Sequence, residues 1–314
     1  MISSSTRSNC LSSPSMSHSQ RGICSVAGDP GLKTLAATCQ KSVSQIAKTE
    51  TPNGSTELAL TVQPEGYAVD LHVKVLDDGV VERAKARGLD ALVYAPHFTR
   101  LSEIRRQAEA FSDEELTVFP AREIFTGTWQ QRRHVLAIGL EDPIPDFITF
   151  DGAMRELDRQ DAAVLVPHPG FLNVSLGLDD IEAYDDIIDA LEVYNPKQLS
   201  HHRDRAQSFT SETGHEPFVS SYAHVRGTVG EAYVTFTKAF ESVAGLSAAL
   251  KDDVERSLFH RDGLSHDLRR AVEWAHLGLE NTWGKFDRLM LQGTEPTHPD
   301  HVAYDGRFND VKVY

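Results

Sequence analysis

The sequence predicts an α/β fold in which about seven strands close into a TIM-like barrel. From Tyr67 onward, short apolar runs alternate with amphipathic stretches whose apolar residues recur at helical spacing. This alternation is typical of β/α units built around a parallel sheet. Seven or so apolar runs are enough for a barrel, whereas a doubly wound open sheet needs fewer. No glycine-rich phosphate loop follows any of the runs.

Each predicted element corresponds to a short stretch of the chain. The predicted barrel strands are, in order, YAVDLH, LDALVYAPH, LTVFPARE, HVLAIGL, AAVLVPHPG, IIDALEVYN and EPFVSSYAH. The helical stretches between them are DGVVERAKARG, which ends at Gly88, then LSEIRRQAEAF, DGAMRELDRQD and SHHRDRAQSFTSETG. Further on, EAYVTFTKAF is predicted as a final strand. ESVAGLSAALKDD and the segment from Leu264 to Leu291 are predicted as helices, the second bent near Gly278.

The chain is predicted to divide into three parts. Residues 1–60 are rich in serine and threonine and cannot bury enough apolar surface to offset the entropy of ordering, so we predict a disordered low-complexity extension. Residues 66–245 are the predicted barrel, and residues 246–314 are the C-terminal helices and an extended tail rich in proline, glycine and aspartate. Three aromatic residues are predicted to pack this tail on the barrel: Tyr304, Phe308 and Tyr314.

The cysteines and the apolar runs bound the environment of the protein. All three cysteines precede residue 60, so the predicted folded part has no disulfide and no thiolate ligand, which fits a reducing cytoplasm. The beginning has no sustained apolar block of the kind that a secretory signal needs, and no apolar run is long enough to span a bilayer. We therefore expect a cytoplasmic protein without a membrane partner.

The formal net charge of −15 argues against a nucleic-acid partner, because phosphate backbones are bound by clustered lysine and arginine. A solvated acidic face, as in many halophilic proteins, is favoured over an acidic surface made for one partner. If the source is halophilic, the charge carries little weight against nucleic acid. The sequence leaves the oligomeric state open.

The most informative feature is where several histidines and one glutamate fall. Five of the predicted strands carry, at or next to their C-terminal end, a side chain of a type that binds metals: His72, His97, Glu123, His168 and His224. His134 instead opens its strand, and it reaches the same rim if that strand begins there. The carboxyl ends of parallel barrel strands lie on one face, so these residues are predicted to converge. A single histidine at a strand end is more often an ordinary polar residue, but several imidazoles with a carboxylate suit zinc, manganese or iron.

The order of these motifs resembles the polymerase and histidinol phosphatase (PHP) family of metal-dependent phosphoesterases. The family's opening Asp-Leu-His-x-His is similar to DLHVK at Asp70, and its Thr-Asp-His stretch is similar to AKARGLDALVYAPH, which ends at His97. FPARE, HVLAIGL, VPHPG, ALEVYN and SSYAH correspond, in order, to its later motifs. The resemblance extends from about Tyr67 to Val229. It implies a distorted seven-stranded barrel with up to three metal ions at the C-terminal rim.

The resemblance also implies three sets of metal ligands, of which one is intact. One metal of the family uses residues that match Glu123, His134 and His168, and all three are present here. Another uses residues that match His97 and His224 together with a further histidine, for which the chain has no counterpart. One or two ions are therefore expected rather than three.

The remaining metal position is altered by substitution. It would use His72 and Glu123 with a second histidine and an aspartate, but Lys74 and Tyr222 stand at those two positions, and Pro96 replaces the aspartate of Thr-Asp-His. We predict that the Lys74 ammonium takes the place of the lost cation, where it neutralises Glu123 or a substrate phosphate. A carboxylated Lys74 that bridges two metals is the alternative.

These residues predict a hydrolase that acts on a small phosphorylated substrate with a divalent ion, which is zinc, manganese or iron. Metal-bound water would attack as hydroxide, while Lys74 binds phosphate oxygens and His224 or His97 protonates the leaving group. Arg122 is a candidate phosphate contact or, alternatively, a salt-bridge residue. Two rival functions stay open: a non-catalytic scaffold, as in the barrel subunit of archaeal ribonuclease P, and a metal-dependent amide hydrolase.

Overall fold

Nine strands of the described chain form one curved sheet that nearly closes into a barrel. The computed structural model describes four ranges: residues 65–128, 130–171, 174–279 and 296–313. The predicted extension at residues 1–60, with its cysteines, lies outside the described residues, as does Tyr314. Within the described ranges, no helix has both the length and the apolar character needed to cross a membrane.

The strands lie side by side largely in chain order. They are β1 (Tyr67–Val73), β2 (Ala91–Tyr94), β3 (Thr117–Thr126), β4 (Arg133–Ile138), β5 (Ala163–Val166), β6 (Ala190–Tyr194), β7 (Glu216–Val219), β8 (Ala232–Phe236) and β9 (Arg256–His260). The first seven are neighbours in sequence order, and β8 and β9 extend the sheet beyond β1. The segment that follows β7 approaches β1, where Val73 forms a parallel bridge with Ala223 and the Lys74 N–H donates to the Ala223 carbonyl at 2.9 Å. The α/β barrel that the sequence predicts is thus confirmed. β8 is the predicted final strand after the seven of the barrel, and β9 is an additional one.

The expectation that the barrel strands are all parallel is wrong. β4 pairs antiparallel with β3 and β5, and β8 pairs antiparallel with β1 and β9. β3 also continues for three residues past Glu123 and forms a hairpin with β4, in which Phe125 lies opposite His134. His134 therefore begins its strand at the rim that β3 reaches, which explains why it opens an apolar run.

Seven α-helices of the described chain connect or follow the strands. They are α1 (Asp78–Ala86), α2 (Leu101–Phe111), α3 (Phe150–Arg159), α4 (Leu178–Ala183), α5 (Ser200–Thr213), α6 (Val243–Lys251) and α7 (Leu264–Leu279). α1 begins where the Asp77 carboxylate accepts from the Val80 N–H at 2.8 Å. α5 ends at Gly214, whose φ of 79° lies in the left-handed region that favours glycine. α7 is helical through Gly278, and its predicted continuation to Leu291 lies outside the described residues.

The alternation of side chains along the strands points two of the predicted site residues into the barrel. Phe119, Ala121 and Leu136 belong to the buried cluster inside the sheet. Side chains two residues apart on a strand face the same way. Glu123 therefore continues the inward row of Phe119 and Ala121, and His134 continues that of Leu136. Both polar groups lie at the end of an apolar core.

The C-terminal segments pack against the barrel. Tyr304 and Phe308 of the tail are buried in the cluster beneath α3. α7 is attached through the buried carboxylate of Glu231, whose Oε2 lies 2.7 Å from His266 Nδ1. The same carboxylate accepts from the Arg87 guanidinium at 2.6 Å. This helix is thereby fixed beside the rim that carries the histidines.

Candidate metal centre

Glu123 lies at the centre of a cluster of polar side chains on the barrel rim. Its carboxylate is fully buried. One oxygen, Oε1, lies 3.4 Å from His134 Nδ1 and 3.3 Å from His168 Nε2. One ligand atom from each of these three residues lies within 4.8 Å of the other two. The structure thus brings together the three residues on which the sequence-based metal site depends.

The second oxygen of Glu123, Oε2, faces a different group of nitrogen atoms. Lys74 Nζ is in direct contact with it, His97 Nε2 lies 3.0 Å away and His72 Nε2 lies 3.8 Å away. Lys74 Nζ also donates to the Ala95 carbonyl at 2.6 Å. The ammonium thus contacts the Glu123 oxygen that does not face His134 and His168.

Tyr222 covers this cluster. Its ring centroid lies 5.8 Å from Lys74 Nζ, 4.7 Å from the His72 ring and 5.1 Å from the His168 ring. An aromatic face attracts an ammonium through its quadrupole. Lys74 and Tyr222, the two residues that replace ligands in the resemblance to the PHP family, are therefore neighbours at the rim.

His134 offers the clearest sign that the cluster fits a cation. Both ring nitrogens are buried, and within the described part of the chain neither has a hydrogen-bond partner. Burial lowers the pKa of His134 to about 3, although Glu123 opposes the shift, so the ring is neutral and carries a lone pair. An unsatisfied buried polar atom costs free energy that a bound cation would recover. Two imidazoles and one carboxylate form a donor set that zinc, manganese or iron accepts.

The neighbours of His168 orient its ring so that one nitrogen can bind a cation. Its backbone N–H donates to Glu192 Oε2 at 2.7 Å, which holds the residue at a φ of 38°. The Ser175 hydroxyl donates to the Phe171 carbonyl at 2.8 Å, so it can only accept from His168 Nδ1, which lies 3.0 Å away. The His168 proton therefore resides on Nδ1, and the lone pair of Nε2 faces Glu123.

The electrostatics of the site keep Glu123 ionised. Burial alone would raise its pKa, but the Lys74 ammonium beside it holds that pKa well below the usual value. Burial and the same ammonium lower the pKa of His72 well below its usual value. An anionic carboxylate beside neutral imidazoles is the protonation state in which these groups bind metal.

His97 and His224 form a second group, which contains residues that sequence reasoning missed. The two rings lie 5.2 Å apart. His224 Nδ1 lies 2.9 Å from Nζ of the buried Lys197, which lies 3.1 Å from Glu273 Oε2 on α7. Burial and the Lys197 ammonium lower the pKa of His224 well below its usual value. Lys197 follows the run ALEVYN by two residues, so its position just past a predicted strand is a signal that it lies at the rim. The sequence around Glu273 contains no comparable signal.

Arg122 does not take part in this cluster. It precedes Glu123 on the same strand and therefore points to the opposite face. Its guanidinium pairs with Asp146 at 3.0 Å and donates to the Thr99 carbonyl at 2.5 Å. The structure thus shows the salt-bridge alternative for Arg122 and not the phosphate contact.

Fold and site together define an α/β barrel protein with a candidate metal centre at its rim. The PHP-associated family model, PHP_C, matches residues 200–254, from the start of α5 to just past α6. The search of curated proteins finds no match.

Several solved structures are similar to this chain, among them the following three. PsfC from Pseudomonas syringae PB-5123 is 17% identical, with 69% of this chain and 99% of that chain covered and a TM-score of 0.52. The lesion-specific endonuclease PfuEndoQ from Pyrococcus furiosus is 15% identical, with 62% and 58% covered and a TM-score of 0.46. An amidohydrolase from Chromobacterium violaceum is 12% identical, with 60% and 97% covered and a TM-score of 0.44. At such identities the likeness concerns the fold alone.

These findings are consistent with a member of the PHP family, as the order of the sequence motifs predicts. The family model matches the C-terminal part of the barrel, whereas Glu123, His134 and His168 all precede the matched residues. The matched residues and the candidate metal ligands thus lie in separate parts of the chain.

Proposed function

We propose that the protein is a metal-dependent hydrolase of a phosphate ester that uses one divalent ion. The donor set of Glu123, His134 and His168, with ligand atoms within 4.8 Å of one another, supports this most strongly. Zinc, manganese and iron are the ions that such a set accepts. When bound, an ion of this kind lowers the pKa of a coordinated water and polarises a phosphoryl oxygen.

The chain's own residues have distinct roles in this proposal. Glu123 stays anionic and offers Oε1 to the ion, while Lys74 neutralises Oε2. Lys74 thereby supplies, as a fixed point charge, the positive charge that a second ion supplies in the family. His97 and His224 lie on the Lys74 side of Glu123, and we assign to them the binding of substrate oxygens and the protonation of the leaving group.

The burial of the cluster favours a small substrate. Glu123 and His72 are fully buried, and the side chain of His168 is 1% exposed. The side chain of His97 is 17% exposed, so substrate reaches the cluster from the His97 side. Such access fits a small phosphorylated molecule better than a polymer.

A non-catalytic barrel is the second candidate function. The direct contact between Lys74 and Glu123 favours it, because this ion pair neutralises the buried carboxylate without any metal. A chain that has exchanged metal for lysine could keep the fold of a phosphoesterase and serve as a binding subunit.

Turnover by the full chain in the presence of Mn²⁺ tests the proposal. A panel of phosphomonoesters, phosphodiesters and amides is offered to the native protein, to His168→Ala and to His201→Ala, which alters an exposed histidine on α5. We expect hydrolysis of a phosphate ester by the native protein and by His201→Ala, and none by His168→Ala. Absence of ester hydrolysis by protein shown to hold the ion contradicts the proposal, and hydrolysis of amides alone favours the amide hydrolase.

A further inference from the structure

A second buried lysine, Lys197, lies beside His224 at the rim. Its side chain is 1% exposed. Nζ donates to the Tyr222 carbonyl, lies 2.9 Å from His224 Nδ1, and lies 3.1 Å from Glu273 Oε2. Nζ also lies 3.9 Å from the centroid of the Tyr222 ring. Three acceptors and an aromatic face thus surround one ammonium group.

Glu273 holds Lys197 in its charged form. The carboxylate is fully buried on α7, and its Oε1 accepts from the backbone N–H groups of His224 at 2.9 Å and Val225 at 3.1 Å. The Thr228 hydroxyl donates to the same oxygen. These donors stabilise the ionised carboxylate, and an ionised buried carboxylate stabilises an ammonium next to it.

The contact between Lys197 and His224 fixes the position of a proton. An ammonium has three N–H donors and no lone pair, so His224 Nδ1 must accept in this contact. The Tyr222 carbonyl lies 3.0 Å from the same nitrogen and could instead receive a hydrogen from Nδ1. A hydrogen on Nδ1 would then lie close to the hydrogens of the Lys197 ammonium, which approach the same nitrogen. The charge-assisted bond from Lys197 is therefore the stronger of the two.

We propose that Lys197, anchored by Glu273, is a positioning residue that holds His224 as the neutral tautomer with its proton on Nε2. His224 then presents Nε2–H, on the side of the ring away from Lys197, as a hydrogen-bond donor to an anionic oxygen of the substrate. The same ammonium occupies the lone pair of Nδ1 and so excludes a cation from that nitrogen. The role of His224 toward the substrate extends the proposed function and rests on it. The tautomer of His224 does not depend on the proposed function.

Long-range ¹H–¹⁵N correlation spectra of the histidine rings test the tautomer directly. The spectra are recorded on metal-free full-length protein, and the His224 signals are assigned as those that disappear in His224→Gln. We expect Nε2–H to exceed Nδ1–H by at least about tenfold, as one charge-assisted hydrogen bond would produce. A His224 ring that carries its proton on Nδ1, or on both nitrogens, in the native protein overturns the proposal, whatever the folding of any Lys197 variant.

Substitution shows whether Lys197 is the cause. Lys197→Met is expected to remove the excess of Nε2–H, while Lys238→Met, which alters an exposed lysine, is expected to leave it unchanged. An unchanged His224 spectrum in folded Lys197→Met contradicts the assignment. Because no turnover is needed, failure of the phosphate-ester hypothesis and failure of the tautomer are separate results. Where ester hydrolysis is found, Lys197→Met is expected to lower kcat about 10²–10⁴-fold, the usual contribution of a positioned acid.

Discussion

Replacing Lys74 by methionine tests whether the lysine acts as a built-in cation. The substitution keeps an unbranched side chain, shorter by one atom, but removes the only ammonium in contact with the fully buried carboxylate of Glu123 among the described residues. The other nitrogen atoms near Oε2 belong to the imidazoles of His97 and His72, at 3.0 Å and 3.8 Å. Breaking a buried ion pair by removing one partner costs about 3–5 kcal/mol.

This loss is measurable as a change in melting temperature that a metal ion reverses. For a folded unit of this size, each kcal/mol shifts Tm by about 2–4 °C, so Lys74→Met is expected to melt about 6–20 °C below the native protein in EDTA. A divalent ion that binds the folded state adds about 2.7 kcal/mol at a hundredfold excess over its Kd. In Lys74→Met the buried Glu123 carboxylate has lost its ammonium partner. Mn²⁺ is therefore expected to stabilise Lys74→Met more than it stabilises the native protein.

Thermal unfolding of the native protein, Lys74→Met and Lys238→Met, each with EDTA and with Mn²⁺, gives the required comparison. Lys238 is exposed, so its substitution controls for the loss of one positive charge. A loss of less than about 1 kcal/mol in EDTA, the range of an ordinary surface ion pair, would refute the assignment of Lys74 as the compensating cation. So would a deficit that Mn²⁺ leaves unchanged.

Three further variants are informative. The double variant Lys74→His with Tyr222→Asp restores both ligand types that the resemblance implies. Elemental analysis should therefore find a second equivalent of metal per chain. An unchanged number of bound ions would count against the idea that Lys74 takes the place of a metal ion. Ser175→Ala removes the acceptor that fixes the His168 tautomer and should weaken Mn²⁺ binding about 10–100-fold in calorimetric titration, whereas equal affinity would contradict that role. Burial alone would raise the pKa of Glu231, but His266 and neighbouring arginines hold it below its usual value. Glu231 therefore stabilises the fold above the ordinary glutamate pKa, and this contribution is lost as the pH falls through the folded-state pKa. Glu231→Gln should cost about 3 kcal/mol at pH 7, and in urea unfolding the gap from the native protein should close below about pH 4; a gap that is independent of pH would contradict this.

The sequence predicts the rim cluster because strand-end position carries directional information. Apolar runs ending on His72, His97 and His168 indicate one face of a barrel, and the structure brings these residues to Glu123. The direction of a strand relative to its neighbours cannot be predicted in the same way, because an apolar run has the same pattern in a parallel and in an antiparallel strand. The antiparallel placement of β4, and hence the reason why His134 opens its run, needed the three-dimensional pairing.

Other parts of the structure leave little trace in the sequence. β9 was not predicted, because RSLFH is short and largely accessible and so lacks a clear apolar pattern. Glu273 reaches the rim from α7, about fifty residues beyond His224, and only the packing of that helix on the barrel brings the two together. Lys197 is not predicted from the sequence, because lysine is not a metal-binding residue type while it is charged.

The number of ions that the purified protein retains tests the central claim most directly. Elemental analysis follows exchange of the full chain into metal-free buffer after incubation with Mn²⁺ or Zn²⁺, with His168→Ala and the exposed-site variant His201→Ala in parallel. We expect about one equivalent per chain for the native protein and His201→Ala, and none for His168→Ala, because a single intact donor set lies at the rim. Native protein without bound metal, or a His168→Ala variant that keeps its full equivalent, would contradict a metal centre at Glu123, His134 and His168.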